Sequence, residues 1–341
     1  MERVLFLGHT GENGELGRAA LEALHAAAGL AEELGCAFDA GLVGADVQKA
    51  ANNIGSCGAS SFFAVSGVDF AEARYGSDVL AAEALCRKSG ATIVIAAGTS
   101  RWMRVLAGAA LRLGGRIDTH ATALGAGQGA VSISRWYYRQ RMEAQLSRAV
   151  RPWIIVLEPG SAPAWQGEEK AAALVDVPVE VTDAAKRTSF AGYRAPQASE
   201  QTIRPDAELL FVAGAGWTKK QADGNIHIEE ASKLILDFMH KSNASLGSSK
   251  SLVDLQGEGQ AVLPFLTHLN QIGQTGATPR HAKGFATCCH GEEPHVVGWR
   301  FINERRAVNT NPNCGWAQGK ADVLYVADAF AVMAKVNELL S

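Results

Sequence analysis

Gln271-Ile-Gly-Gln-Thr-Gly276, Cys288-Cys-His-Gly-Glu-Glu-Pro-His295, Val308-Asn-Thr-Asn-Pro312 and Ala327-Asp328 are the turns whose reading decides the fold of this chain. Each is polar or rich in Gly or Pro, and each adjoins a short apolar or β-branched run. A parallel sheet presents loop residues to a ligand in this way, at the carboxyl ends of its strands. Taken alone, the chemistry of Gln271–Asp328 predicts a nucleotide-sized ligand at strand ends.

The same alternation extends outward. Leu209-Leu-Phe-Val-Ala213 reads as a strand followed by Gly214-Ala-Gly216, and Ile226–His240 as a helix. Ser245-Leu-Gly-Ser-Ser-Lys250 reads as a short strand entering a polar turn, Val262–Leu269 as a helix or strand, and Ala329–Leu340 as the closing helix. The first half predicts strands at Val4–Leu7, Phe38–Val43, Ser61–Val65 and Thr92–Ala97. Helical periodicity falls at Leu16–Leu34, Val47–Ile54, Ser77–Ser89 (stopped by Gly90) and Val105–Leu113. Both halves therefore read as α/β, doubly wound around parallel sheets. From Ala121 to about Val179 the texture changes. Val131–Tyr138, Arg141–Leu146 and Trp153–Leu157 are strand-like between short turns and predict an antiparallel extension of the N-terminal sheet. Its Arg, Trp and Tyr residues suit an interface and the mixed faces of an exposed sheet alike. Asp183–Thr202 has no periodicity and carries Ser189, Gly192, Pro196 and Ser199, as a linker does. The expected domains are 1–200 and 201–341.

Bulk properties narrow the function classes. The chain has 341 residues, 47% hydrophobic and 20% charged, which is globular composition and enough for two domains. The net charge of -3 leaves no basic excess, so nucleic acid is not an expected partner. The longest apolar runs, such as Ile93–Ala97, are far short of a bilayer, so no membrane insertion is expected. No signal or transit pattern precedes Val4-Leu-Phe-Leu7. Six cysteines, none in a CxxC pair, are too sparse for a disulfide framework. A cytoplasmic location is the expectation.

The polar turns have both a ligand reading and a plain one. Gly214-Ala-Gly216 allows close backbone approach to a phosphate or flat ring, or makes a tight strand-to-helix turn. Ser248-Ser249-Lys250 offers hydroxyls and a cation to a pyrophosphate, or is a solvated loop. Gln274-Thr275-Gly276 offers an amide and a hydroxyl to a heterocycle edge. His290 and His295 flank Gly291 in one turn, where ligand contact is as reasonable as mere exposure. A zinc site from Cys288, Cys289, His290 and His295 lacks ligand spacing, so no metal is expected, while a reactive thiol there stays open. Asn309-Thr-Asn-Pro312 is an Asx/Pro turn ending a strand. Asp328 looks like a helix N-cap that can also reach a ribose hydroxyl. No P-loop, nucleophile elbow or HExxH occurs, and no catalytic residue is assigned.

In order and spacing, these turns resemble the alpha subunit of electron transfer flavoproteins. That family carries VGQTG, GISGAIQH, INKDP and ADYG before the last helix. Here stand Ile272-Gly-Gln-Thr-Gly276, Cys288–His295, Val308-Asn-Thr-Asn-Pro312 and Ala321–Asp328. Upstream, Leu246-Gly-Ser-Ser-Lys250 is similar to the family's VGASR and Phe211–Gly216 to the start of VVSGGRG, while Ala97-Gly-Thr-Ser100 resembles its N-terminal Thr-Ser turn. The resemblance implies an electron carrier rather than a turnover enzyme, paired with a beta subunit. FAD would sit in the C-terminal domain, with AMP possible in the partner subunit. Electrons would come from a flavin-dependent dehydrogenase and pass to a quinone oxidoreductase or similar acceptor. Residue by residue, the resemblance places Ser249 and Lys250 at the pyrophosphate and Gly273, Gln274 and Thr275 near the flavin. His295 would lie at the flavin's O2 edge, with His290 and Gly291 also among the cofactor-binding residues, and Asn309 and Asp328 at the adenosine half.

The departures are specific. The family's arginine over the flavin aligns with Gly216, and Trp217 follows. Loss of a guanidinium there predicts a more negative potential unless Lys219, Lys220 or the partner supplies charge. Glu292 and Glu293 oppose a pyrophosphate unless they point away. Two expectations follow: a flavin carrier dedicated to one dehydrogenase, or a degenerate structural or nucleotide-binding subunit without redox-active flavin.

Overall fold

The computed structural model describes residues 2–127, 130–138, 142–192, 204, 207–254, 261–272, 281–287, 302–314 and 321–341. It divides into two compact units, Met1–Tyr193 and Arg194–Ser341.

In the N-terminal unit, β1 (Arg3–His9), α1 (Arg18–Leu34), β2 (Ala37–Gly44), α2 (Gln48–Asn53) and β3 (Phe62–Ser66) lead to α3 (Tyr75–Ser89), β4 (Ile93–Ala97) and α4 (Ser100–Arg112). The strands β5 (Arg116–Gly127), β6 (Ala130–Tyr137), β7 (Met142–Leu146), β8 (Trp153–Leu157) and β9 (Leu174–Asp176) complete it. The described strands form one nine-stranded sheet, ordered β7-β6-β5-β8-β4-β1-β2-β3-β9. Its centre is parallel and its β5-β6-β7 edge antiparallel, as the change of texture predicts. One face packs Val4, Phe6, Ile93 and Ile95 against Leu24, Ala27 and Leu30 of α1. The other packs Leu5, Leu7, Val94 and Ala96 against α3 and α4 through Leu85, Trp102 and Leu106. Burial on both faces is what makes these strands read as unbroken apolar runs.

Trp153–Leu157 departs from expectation. It is not part of the antiparallel extension but a central strand, parallel to both β4 and β5. All of its residues are buried. An unbroken Trp-Ile-Ile-Val-Leu run marks a strand covered on both faces, whereas an edge strand alternates. Helix α4 also begins five residues before Val105, because Thr99 caps it by accepting from the Trp102 N–H at 3.3 Å.

The C-terminal unit comprises β10 (Leu209–Ala213), α5 (Ile228–Ser242), β11 (Ser245–Ser248), α6 (Lys250–Asp254), β12 (His281–Thr287), β13 (Ile302–Asn309), β14 (Val323–Val326) and α7 (Ala329–Leu339). Its described strands form a five-stranded sheet, ordered β11-β10-β12-β13-β14, in which every pair is parallel. Phe211, Ala213, Leu246 and Val308 face Ile235 and Phe238 of α5 and Met333 of α7. Leu210, Val212, Ala286 and Ala307 form the other face with Ile272 and Cys314. Val262–Leu269 is neither of the expected elements, and a 3-10 turn at His268–Asn270 follows instead. Among the described residues no helix is long and apolar enough to cross a membrane.

Candidate functional site

In each unit the strand order reverses at one point: between β1 and β4 in the first, and between β10 and β12 in the second. The crevice outside the carboxyl ends of strands at such a point is where open α/β sheets bind ligands. The predicted site residues that the structure describes collect along the carboxyl edge of the C-terminal sheet. They are Gly216 after β10, Ser249 and Lys250 after β11, Asn309 at the end of β13 and Asp328 after β14. Gly273, Gln274, Thr275, His290, Gly291 and His295 lie outside the described residues, as do Cys288 and Cys289.

Backbone contacts hold this edge together. The Gly214 N–H donates to Thr287 O at 3.0 Å, tying the turn after β10 to the end of β12. The Ser249 N–H donates to Ala213 O at 2.9 Å, and Ile272 N–H to Ser248 O at 3.1 Å. Ile272 reaches that position because residue 247 is glycine; a Cβ there would stand 2.6 Å from Ile272 Cγ2. Ser249 is fully buried, and its hydroxyl accepts from the Leu252 N–H at 3.3 Å. Lys250 is exposed.

Asn309 makes the Asx turn that its sequence predicts, accepting the Asn311 N–H at 2.8 Å through its side-chain oxygen. Asp328 caps α7, accepting from the Ala331 N–H at 3.0 Å. Two buried polar atoms on this edge have no partner among the described residues: the Ser248 hydroxyl and the Asn309 side-chain nitrogen. Buried polar groups are normally paired, so each is open to a ligand at the cost that an orphan otherwise carries.

Gly216 sits differently from a phosphate-cradling glycine. It is buried within a 3-10 turn, Ala215–Thr218, and its carbonyl accepts from the Gln221 side chain at 3.0 Å. Trp217 in the same turn is fully buried; its indole N–H donates to Thr287 Oγ1 at 2.8 Å and its ring lies 4.6 Å from that of Phe330. A cavity of about 660 Å³ lies elsewhere in this unit, lined by Phe238, Lys283, Phe285, Arg306, Tyr325 and Val336 among others. None of the predicted site residues lines it.

The carboxyl edge of the N-terminal sheet carries two histidine contacts that the sequence reading missed. His9 ends β1 and meets Thr99 Oγ1 at 3.0 Å through Nε2. Burial, helped by the charge of Arg101, pushes its pKa down to about 4, so the ring is neutral near pH 7. His120 pairs through Nδ1 with Glu158 Oε2 at 2.8 Å. Neither pair has a short sequence spacing that could announce it. Among the described residues no group of three or more His, Cys, Asp or Glu could hold a metal ion.

Residues 4–185, most of the N-terminal unit and more than half of the chain, match the model of the electron transfer flavoprotein domain. The chain belongs to the electron transfer flavoprotein family. The matched stretch runs from β1 past β9, so it includes the nine-stranded sheet of this family member. The C-terminal unit follows the matched residues and carries the second parallel sheet. No curated protein matches the chain.

Proposed function

We propose that this family member is the alpha subunit of a heterodimeric electron transfer flavoprotein. Its C-terminal unit binds FAD, and the carrier takes electrons from a dedicated flavin-dependent dehydrogenase and delivers them to a quinone oxidoreductase or similar acceptor. One observation carries the reading: a second parallel α/β unit follows the family domain, and its carboxyl edge brings together Ser249, Lys250, Asn309 and Asp328.

The described residues fit such a cofactor. Ser248 and Asn309 hold buried polar atoms with no partner among the described residues at the ends of β11 and β13, on either side of the switch point. Lys250 supplies positive charge and Ser249 sits beside it, which suits a pyrophosphate. Asn309 has a side-chain N–H pair to offer an adenosine moiety, and Asp328 keeps a second carboxylate oxygen for a ribose hydroxyl after capping α7. Gln274, Thr275 and His295 would lie near the isoalloxazine, with Gly273, His290 and Gly291 among the other residues that bind the cofactor. When bound, the flavin supplies the electron-accepting ring; the chain supplies binding, orientation and local charge.

Trp217 favours a second reading for the same fold. It fills the turn after β10 with a buried indole one position past Gly216, the residue that aligns with the family's arginine. A subunit that holds a nucleotide without redox-active flavin is the alternative. The visible spectrum separates the two. The chain, purified with its beta subunit, is expected to be yellow and to release FAD on denaturation. A preparation that is colourless and stays colourless after FAD addition overturns the flavin reading.

A further inference from the structure

Strand β5 gains a second partner at His120. Before it, Asp118 pairs with Ile155 of β8 in the parallel sheet; after it, Ala121 pairs with Leu157 of β8 and with Arg135 of β6. The register slips twice, between Asp118 and Ala121 and again between Ala121 and Ala123. Such bulges bend a strand and re-aim a side chain. His120 itself has φ +58, the left-handed region that a side chain with a Cβ rarely adopts. Backbone strain of this kind persists only where the surroundings over-determine it.

What determines it here is Glu158, the residue after β8. Its N–H donates to Ala121 O at 2.8 Å, and its carboxylate holds His120 Nδ1 at 2.8 Å. One residue thus ties both backbone and side chain of the bent strand to the parallel sheet. Beyond the bend, β5, β6 and β7 continue as the antiparallel edge, whose far end exposes Tyr138 and Met142. Other charged groups bear on the joint. Asp118 of β5 is bonded to Arg135 of β6 at 3.0 Å and to Arg148 at 2.9 Å, and Glu143 of β7 accepts from Thr122 Oγ1 at 3.3 Å.

We propose that the His120–Glu158 pair is a proton-dependent latch that holds the β5-β6-β7 edge in its set on the parallel sheet and lets it loosen as the pH rises. The imidazolium is needed for the latch to close, because a neutral ring offers Glu158 a hydrogen bond but no charge. The hydrogen bond to Glu158 raises the His120 pKa against partial burial, and Arg135 opposes it. The folded value is therefore above the unfolded one. The latch is fully closed below the ordinary histidine range and is lost as pH rises through the raised value.

Hydrogen exchange of the full chain tests this. Peptides covering residues 121–146 are compared with peptides from β1 and β4 between pH 5.5 and 8.5, with times scaled for intrinsic exchange. The edge is expected to exchange about threefold faster relative to the core at the high end, the size of effect that a half-exposed ion pair gives. Glu158→Gln and His120→Asn are both expected to flatten the profile; asparagine tolerates the left-handed backbone, so that variant keeps the bend without the charge. A ratio that stays constant with pH in the unaltered chain overturns the proposal. So does a pH step of unchanged size in either variant.

Discussion

Trp217 shows how much one residue decides at the C-terminal edge. Its indole is fully buried, its N–H is satisfied by Thr287 Oγ1 at 2.8 Å, and the Thr287 hydroxyl in turn donates to Val212 O at 3.2 Å. The threonine is therefore an acceptor and a donor at once, and it locks the turn after β10 onto the end of β12. Thr287→Val keeps the shape and leaves the indole N–H buried without an acceptor. An orphaned donor of this kind costs about 1–3 kcal/mol. Urea denaturation followed at the C-terminal unit is expected to show that loss, with the N-terminal unit unchanged. From the sequence, Trp217 stood out only as the neighbour of Gly216 where the family has arginine. Its partner is 70 residues away, and no local pattern announces a contact of that span. The residues that were legible are those whose roles are local. Asp328 caps the helix that starts one position later, and Asn309 turns the chain two residues on.

At the scale of elements, legibility followed burial. Strands covered on both faces are unbroken apolar runs, and β1, β4 and β10 were read within a few residues of their ends. β8 reads as a strand in the sequence but not as a central one, because its run says "buried" and says nothing about which strand lies beside it. The antiparallel edge was legible as a change of texture. What fixes it was not, since besides the His120–Glu158 pair its permanent anchor is Asp118, which is 2% exposed and accepts from four donors. Arg135 reaches it at 3.0 Å, Arg148 through two nitrogens at 2.9 Å and Trp153 Nε1 at 3.0 Å. These partners come from β6, from the loop after β7 and from β8, so one carboxylate joins the antiparallel edge to the parallel centre. Asp118→Ala leaves two guanidinium groups and an indole N–H without their acceptor, and about 3–5 kcal/mol of stability is expected to go with it. Burial works against the Asp118 charge, but Arg148, Trp153 and Arg135 outweigh it and hold the carboxyl below its usual range. A lowered folded value means stability that is present above the unfolded pKa and lost as pH falls through the folded one. Urea midpoints measured down into acid are expected to fall less steeply in Asp118→Asn than in the unaltered chain. Equal slopes would remove Asp118 from the acid response.

For the whole molecule, the family match and the proposed site fall in different units. Residues 4–185 carry the family domain, while the carboxyl edge with Ser248, Ser249 and Asn309 belongs wholly to Arg194–Ser341. Each unit has its own sheet and its own apolar clusters on both faces. Two cores of this kind unfold in separable steps unless an interface couples them, and a ligand stabilises only the unit that binds it. FAD supplied at a hundred times its dissociation constant contributes about 2.7 kcal/mol to the state that binds it. Added FAD is therefore expected to raise the C-terminal transition in a thermal scan and leave the N-terminal transition in place. Asn309→Leu removes the side-chain nitrogen at the end of β13 that has no partner among the described residues and is expected to shrink that shift. The variant also loses the Asx turn to Asn311, so its ligand-free transition is the baseline from which the shift is measured. If FAD moved the N-terminal transition instead, the cofactor would belong at the other switch point, between β1 and β4, where His9 and Thr99 meet. The scan thus tests which of two sheets with the same kind of crevice is the one in use, and it does so without reference to electron transfer at all.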